Sequence, residues 1–130
     1  MNKLQTKLKI QCQDDIIEYD NMHILDYIPY LTTFYNRDTM NIYLPNVPKN
    51  MLILIYAVIT KMTLHKHNNG DSSINIIKTT VDHDKLIDFI YYSNLFNLTS
   101  IIQVASEYFK ALVESMSIDD IKQTFALEKK

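Results

Sequence analysis

Two histidines flank a lysine in a polar stretch, and this is the pattern in the chain that comes closest to metal chemistry. His65 and His67 are two residues apart, and imidazoles at that spacing can bind one ion when they lie on a strand. A zinc site needs at least one further protein ligand, and we find none nearby in the sequence. The surrounding HKHNNGDSS (65–73) instead predicts a solvated loop. We therefore expect no metal site.

The other residues with acid–base or nucleophilic side chains have simpler structural interpretations. Asp14, Asp15 and Glu18 are close in sequence, but the two aspartates predict a turn, so paired acid–base catalysis is not expected. Ser117 lacks the Gly-x-Ser-x-Gly setting of a hydrolase nucleophile, and helix capping accounts for it. Cys12 alternates with apolar neighbours, which predicts a small buried residue. We expect a protein that is not an enzyme and needs no cofactor.

Composition excludes several further classes of function. With one glycine, Gly70, the chain cannot carry a glycine-rich phosphate loop. A formal charge of −2 argues against nucleic acid as the main partner. One cysteine permits no internal disulfide. The longest apolar run, MLILIYAVI (51–59), is far shorter than the roughly 20 residues of a membrane span, and the N-terminus lacks a secretion-signal pattern. We therefore expect a soluble intracellular protein.

The first half of the chain predicts a small sheet with short helices. KLKIQCQ (7–13) alternates apolar and polar residues, as a half-buried strand does, and IIEYD (16–20) follows as its hairpin partner. Short helical pieces are predicted over 21–27 and from Pro29 to Tyr35. MNIYL (40–44) predicts a third strand.

The second half predicts helices. From 49 to 62 apolar residues occur on all sides, which predicts a fully buried helix. After the polar loop three helices follow, 85–96 capped by Asp82 or Asp84, 100–114 capped by Thr99, and 117–127 capped by Ser117. The middle helix carries a stripe of apolar residues: Ile102, Ala105, Phe109 and Leu112. This order predicts an α+β fold, a three-stranded sheet packed by helices.

The last predicted helix raises a question of packing. Ile118, Ile121 and Phe125 recur at helical spacing, and a helix of about ten residues is marginal alone in water. Its apolar face must therefore lie against the rest of the fold, a partner, or both. For any single residue of the face, burial in the core is the better expectation.

The order of these elements and the residues in them resemble the Skp family, the adaptor subunits of SCF ubiquitin ligases, which have the BTB/POZ fold. The residues that carry the resemblance lie mainly in 81–127, without a gap. They are Val81-Asp82, Leu86, Asn94, Leu98, Val104 and the Asp-Asp-Ile-Lys-x-Thr-Phe run 119–125. LKIQ (8–11) and LPNV (44–47) match the family upstream. Elongin C shares the fold but lacks the capped C-terminal segment.

The resemblance implies a non-catalytic adaptor that bridges two proteins. It divides the chain into a BTB/POZ core, 5–98, and a C-terminal helical extension, 99–127. The core would bind the N-terminal region of a cullin, through Leu44, Asn46, Tyr91, Asn94 and Leu95. The extension would bind the F-box of a substrate receptor, through Ile102, Tyr108, Ile118, Ile121, Phe125 and Leu127. The exposed aromatics expected among Tyr91, Tyr92 and Phe96 agree with an interface, although an amphipathic helix would also produce them.

Departures from the family leave alternatives open. Leu95 stands where the family has a tyrosine, and the family continues beyond Lys130 into an acidic helix that closes over the F-box. The alternatives are a stand-alone BTB protein, including a weak homodimer, and a viral or parasite decoy that occupies a host cullin. The resemblance implies a cytoplasmic and nuclear location, in the host cell if the protein is viral.

Overall fold

The computed structural model describes residues 7–68 and 73–125, with the backbone alone for 65–68. The strands in this part of the chain are Leu8–Gln11 (β1), Ile16–Tyr19 (β2), Tyr35–Asn36 (β3) and Asn41–Tyr43 (β4). The helices are His23–Tyr27 (α1), Lys49–Asn68 (α2), Ser73–Thr80 (α3), Leu86–Leu95 (α4), Thr99–Glu114 (α5) and Ile118–Thr124 (α6). Two 3₁₀ segments, Pro29–Phe34 and His83–Lys85, complete the elements. The predicted α+β class is confirmed.

The chain divides into two compact units, Met1–Tyr56 and Ala57–Lys130. The first unit holds the sheet, whose strand order is β2-β1-β4-β3. β1 is antiparallel to β2 and parallel to β4, and β3 is antiparallel to β4. Leu8 and Ile10 of β1 and Ile42 of β4 are buried, so alternation places one sheet face in the core.

The turn between β1 and β2 caps the start of α2. The backbone N–H of Lys49 donates to Oδ1 of Asp14 at 2.9 Å, and Nζ of Lys49 donates to Oδ2 of Asp15 at 2.9 Å. These contacts satisfy a free N–H of the first helical turn and place a negative charge there. The predicted hairpin is confirmed, with Asp14 and Asp15 in the connection between its two strands.

The sheet differs from the prediction by one strand. β3 has two residues, Tyr35 and Asn36, and pairs with β4. Tyr35 was expected in a helix from Pro29, and that segment is instead a 3₁₀ helix ending at Phe34. Two residues are too few for periodicity to reveal a strand, so only the pairing defines it.

Two predictions about α2 are wrong. The helix continues to Asn68, so the predicted loop begins too early; residues 69–72 lie outside the described part. The helix is also not buried on all sides. Met51, Leu52, Ile55, Val58 and Ile59 are buried, but Ile53 is exposed. A continuous apolar run therefore did not mean complete burial.

The second unit contains a helix that the sequence did not predict. α3, Ser73–Thr80, buries Ile76 and Ile77 and packs on α5. Its isoleucines and threonines are β-branched and weak helix formers, so packing rather than propensity accounts for this helix. Among the described residues, no helix has both the length and the apolarity to span a membrane.

The predicted helix caps are correct only at α6. Ser117 Oγ accepts the N–H of Asp120 at 3.1 Å, as the prediction required. α5 starts at Thr99 with Leu98 as the cap, and no side chain caps it. Asp82 precedes the 3₁₀ segment without a side-chain cap bond, and α4 is preceded by Lys85. The predicted caps at Thr99 and at Asp82 or Asp84 are therefore wrong.

Candidate functional site

The predicted partner residues of the second unit lie on two separate sets of elements. Tyr91, Asn94 and Leu95 belong to α4, and we call their surface the α4 surface. Ile118 and Ile121 belong to α6 and Ile102 to α5, and we call this set the α5–α6 surface. Leu44 and Asn46 lie in the first unit, where Leu44 is buried and Asn46 is exposed. Leu127 lies outside the described residues.

The α4 surface presents an aromatic pair. Tyr91 is 61% exposed, and its ring stands edge-on to that of Tyr92, with centroids 4.9 Å apart. Partial burial, with smaller contributions from the nearby Asp88 and Tyr91, raises the pKa of Tyr92. Asn94 is exposed and Leu95 is half-buried. A surface of this composition, aromatic and apolar with polar groups beside it, is typical of protein–protein contacts.

The end of α4 is fixed by a local backbone motif. Asn97 has a φ of 60°, in the left-handed region. The N–H of Asn97 donates to the carbonyl of Asn94 at 3.0 Å, and that of Leu98 donates to the carbonyl of Ser93 at 3.0 Å. This pair of bonds is a Schellman motif, which satisfies carbonyls that the helix leaves free. The motif sets the chain direction between the α4 surface and α5.

α5 packs with a different face from the one predicted. Its buried residues are Ile101, Ala105 and Tyr108, whereas Ile102, Phe109 and Leu112 of the predicted stripe are half-buried. The reason is that α5 packs against both α3 and α4, which together turn the 101–105–108 face inward. Ile102 consequently keeps part of its surface exposed.

α6 is attached through its C-terminal cap residue. Phe125 is buried, and its ring contacts that of Phe109 with centroids 5.0 Å apart. It also lies beside the ring of His83, at 6.3 Å. At the other end of α6, Ile118 is 71% exposed. The helix therefore buries one aromatic side chain against the unit and leaves an isoleucine at its start in solvent.

Two of the predicted F-box residues are buried inside the unit rather than on its surface. Tyr108 is buried, and its hydroxyl shares a hydrogen bond of 3.1 Å with Nε2 of His83. Burial raises the pKa of Tyr108. Phe125 is buried as described above. Both are placed to support the α5–α6 surface, while Ile118 and Ile121 supply its accessible apolar area.

His83 is not among the predicted site residues, and the structure places it against Tyr108 and Phe125. Nothing in the local pattern signals this role, because the partners are 25 residues or more away. Among the side chains that the structure describes, in residues 7–64 and 73–125, no three of His, Cys, Asp or Glu are grouped as metal ligands. The side chains of His65 and His67 lie outside the described residues.

Comparison with protein-family models and with curated proteins gives no match. The resemblance to the Skp family therefore stays a prediction drawn from the residues themselves.

Proposed function

We propose that this protein is a Skp-like adaptor with the BTB/POZ fold, which bridges a cullin scaffold to F-box substrate receptors in an SCF-type ubiquitin ligase. The α4 surface binds the cullin, and the α5–α6 surface binds the F-box. The adaptor performs no chemistry itself. Its contribution is to hold two larger proteins in one complex.

The observation that carries the proposal is the exposure of Ile118. A capped helix attached by Phe125 leaves this side chain 71% exposed, and an exposed apolar group on a helix that is anchored at its other end suits a docking site. The half-buried Ile121, one turn further along α6, extends the apolar area. Ile102 of α5 is half-buried as well. Burial of Phe125 and Tyr108 supports the proposal indirectly, because a rigid platform loses little entropy on binding.

The α4 surface supports the cullin part of the proposal. Tyr91, an exposed aromatic, lies one helical turn from Asn94 and Leu95. Exposed tyrosines are enriched among residues that dominate binding energy. The two surfaces use different helices, so each could bind its partner while the other is occupied.

Co-purification with a tagged cullin N-terminal region tests the first surface. The double substitution Asn94→Lys with Leu95→Glu, and separately Tyr91→Ala, should reduce cullin recovery about tenfold or more. Phe34→Ala is a matched control, because Phe34 is also an exposed aromatic that contacts one aromatic neighbour, Tyr30. F-box recovery should be unchanged in all three variants.

Co-purification with an F-box protein tests the second surface. Ile118→Lys should reduce F-box recovery and leave cullin recovery intact, since the side chain is 71% exposed and a charged group there stays in water. Ile16→Lys, at another exposed isoleucine, is the control. If well-folded wild-type protein recovers neither partner, the proposal is wrong. Recovery of the cullin alone would favour the decoy interpretation.

A further inference from the structure

His83 links the start of α4 to both of the following helical elements. It lies in the 3₁₀ segment His83–Lys85, directly before α4. Its Nε2 shares a 3.1 Å hydrogen bond with the hydroxyl of Tyr108 on α5. Its ring lies 6.3 Å from that of Phe125 with an interplanar angle of 36°. One side chain therefore contacts both α5 and the residue that attaches α6.

The hydrogen bond has a physical reason to persist. Tyr108 is 6% exposed, and a buried hydroxyl without a partner carries a desolvation cost. His83 is half-buried, so part of its ring can still reach water. The Tyr108 hydroxyl thus fixes the orientation of the imidazole, and the oriented ring then forms part of the site that Phe125 occupies.

α6 depends on this site because it has little stability of its own. The helix has seven residues, well below the length at which helices persist alone in water. Ser117 caps its start, but a cap does not attach a helix to a fold. The described ring contacts that attach it are those of Phe125 with Phe109 and with His83.

We propose that His83 is a positioning residue for α6: its hydrogen bond to Tyr108 orients the imidazole so that Phe125 is held against Phe109 and His83 together. Loss of His83 opens α6 locally without unfolding the unit. This attachment is independent of the proposed function; its consequence for an F-box, which would meet a misplaced Ile118, rests on that function.

Amide hydrogen exchange of the complete chain tests the proposal without any partner. The reporting amides are those of Ile121 and Phe125, which donate to the carbonyls of Ser117 and Ile121. His83→Ala removes both the ring and the hydrogen bond, and should speed exchange at these amides about tenfold. His83→Phe keeps a ring without the hydrogen bond, and should give a smaller increase. His83→Gln, which keeps a side chain able to hydrogen-bond, should restore part of the protection.

The controls separate positioning from general destabilisation. The amide of Ile102, bonded to the carbonyl of Leu98 in α5, should exchange as in the wild type. His23→Ala, at an exposed histidine of α1, should change nothing in α6. If His83→Ala prevents folding, Tyr108→Phe tests the proposal in its place, because it removes only the hydroxyl. It should speed exchange of the α6 amides about threefold or more, with the free energy of unfolding of the whole protein unchanged. Unchanged α6 exchange, or equal acceleration in α5 and α6, overturns the proposal.

These measurements also keep the two proposals distinguishable. Failure to bind an F-box protein with normal α6 protection in the wild type would count against the proposed function alone. Failure of the His83 variants to alter α6 exchange would count against the positioning role alone.

Discussion

The ring of Phe125 stands at 63° to that of Phe109, with 5.0 Å between the ring centroids. This edge-to-face contact joins the residue after α6 to the middle of α5. It is the geometry that aromatic quadrupoles favour. The C-terminal helix is thereby held to the unit through a residue that the sequence alone could have assigned either to the core or to a partner.

The Phe109–Phe125 contact predicts a measurable coupling. Phe109→Ala, Phe125→Ala and the double variant form a double-mutant cycle, for which we expect a coupling free energy of about 1 kcal/mol in urea denaturation. The reason is that either single change removes the same ring contact. Strictly additive effects would mean that the two rings do not interact in solution.

We expect that replacing Ser93 will stabilise the protein. It is fully buried, and its hydroxyl has no hydrogen-bond partner in the described part of the chain. Ser93→Ala should therefore raise the free energy of unfolding by about 1 kcal/mol, since the desolvation cost of the hydroxyl is removed. Ser106→Ala, an exposed site on α5, controls for the difference in helix propensity. A destabilised Ser93→Ala protein would show that the hydroxyl is bonded after all.

The left-handed backbone of Asn97 predicts how substitutions at this position will change the stability of the protein. Its φ of 60° costs other L-residues roughly 1–2 kcal/mol, while glycine has no such cost. Asn97→Ala should lower the free energy of unfolding by about 1 kcal/mol, and Asn97→Gly should be at least as stable as the wild type. Asn50→Ala, within α2, serves as the control. Equal stability of the Ala and Gly variants would contradict the Schellman motif.

The Asp15–Lys49 pair predicts a pH dependence with a definite sign. The hydrogen bond from Lys49 and that from the N–H of Ile16 lower the pKa of Asp15 below 3.8. A lowered folded-state pKa stabilises the fold above the unfolded-state pKa, and this stabilisation is lost as the pH falls through the folded value. The pKa of Lys49 is raised above 10.5 by the same hydrogen bond, so its contribution is lost as the pH rises through the folded value.

Substitution of Asp15 checks this sign. Urea denaturation between about pH 2.5 and about pH 6 should show that the free energy of unfolding falls less steeply with decreasing pH in Asp15→Asn than in the wild type. The pair is at the surface, so the difference should be small and should shrink in high salt. Asp38→Asn, in the turn before β4, is the control. If the free energy of unfolding depends on acid pH in the same way in the wild type and in Asp15→Asn, the lowered pKa of Asp15 is wrong.

Cys12 predicts an unreactive thiol. Burial, followed by the nearby Asp14, raises the pKa of Cys12 from 9.0 to about 11. Near neutral pH this lowers the thiolate fraction about a hundredfold, and the thiolate is the reactive species. A disulfide reagent should therefore react slowly with the native protein and rapidly after denaturation. Fast native reaction at pH values near 8 would contradict the burial.

The helices of the second unit could be predicted well where their sequence pattern is long. The expected helices 85–96 and 100–114 agree with Leu86–Leu95 and Thr99–Glu114 to within a residue. Both carry apolar residues at helical spacing over several turns, which is the most reliable local signal. α3 and β3 lacked such a signal, because one is rich in β-branched residues and the other has two residues.

The predicted surfaces could be assigned only in part. Some of Tyr91, Tyr92, Leu95 and Phe96 were expected to be exposed, and this is confirmed, with Tyr91 in solvent and Phe96 buried. The sequence could not separate the exposed Ile118 from the buried Phe125, since both fit the same helical spacing. Burial depends on what a helix packs against, and periodicity does not contain that information.

The sequence by itself determined the class of fold, most of the strands and helices, and the cap at Ser117. Each of these depends on residues within about four positions of one another, where backbone geometry links sequence to structure directly. The tertiary structure decided the parallel pairing of β1 with β4, the existence of α3, and the meeting of His83 with Tyr108 and Phe125. These contacts join residues far apart in the chain, and only the packing of whole elements brings them together.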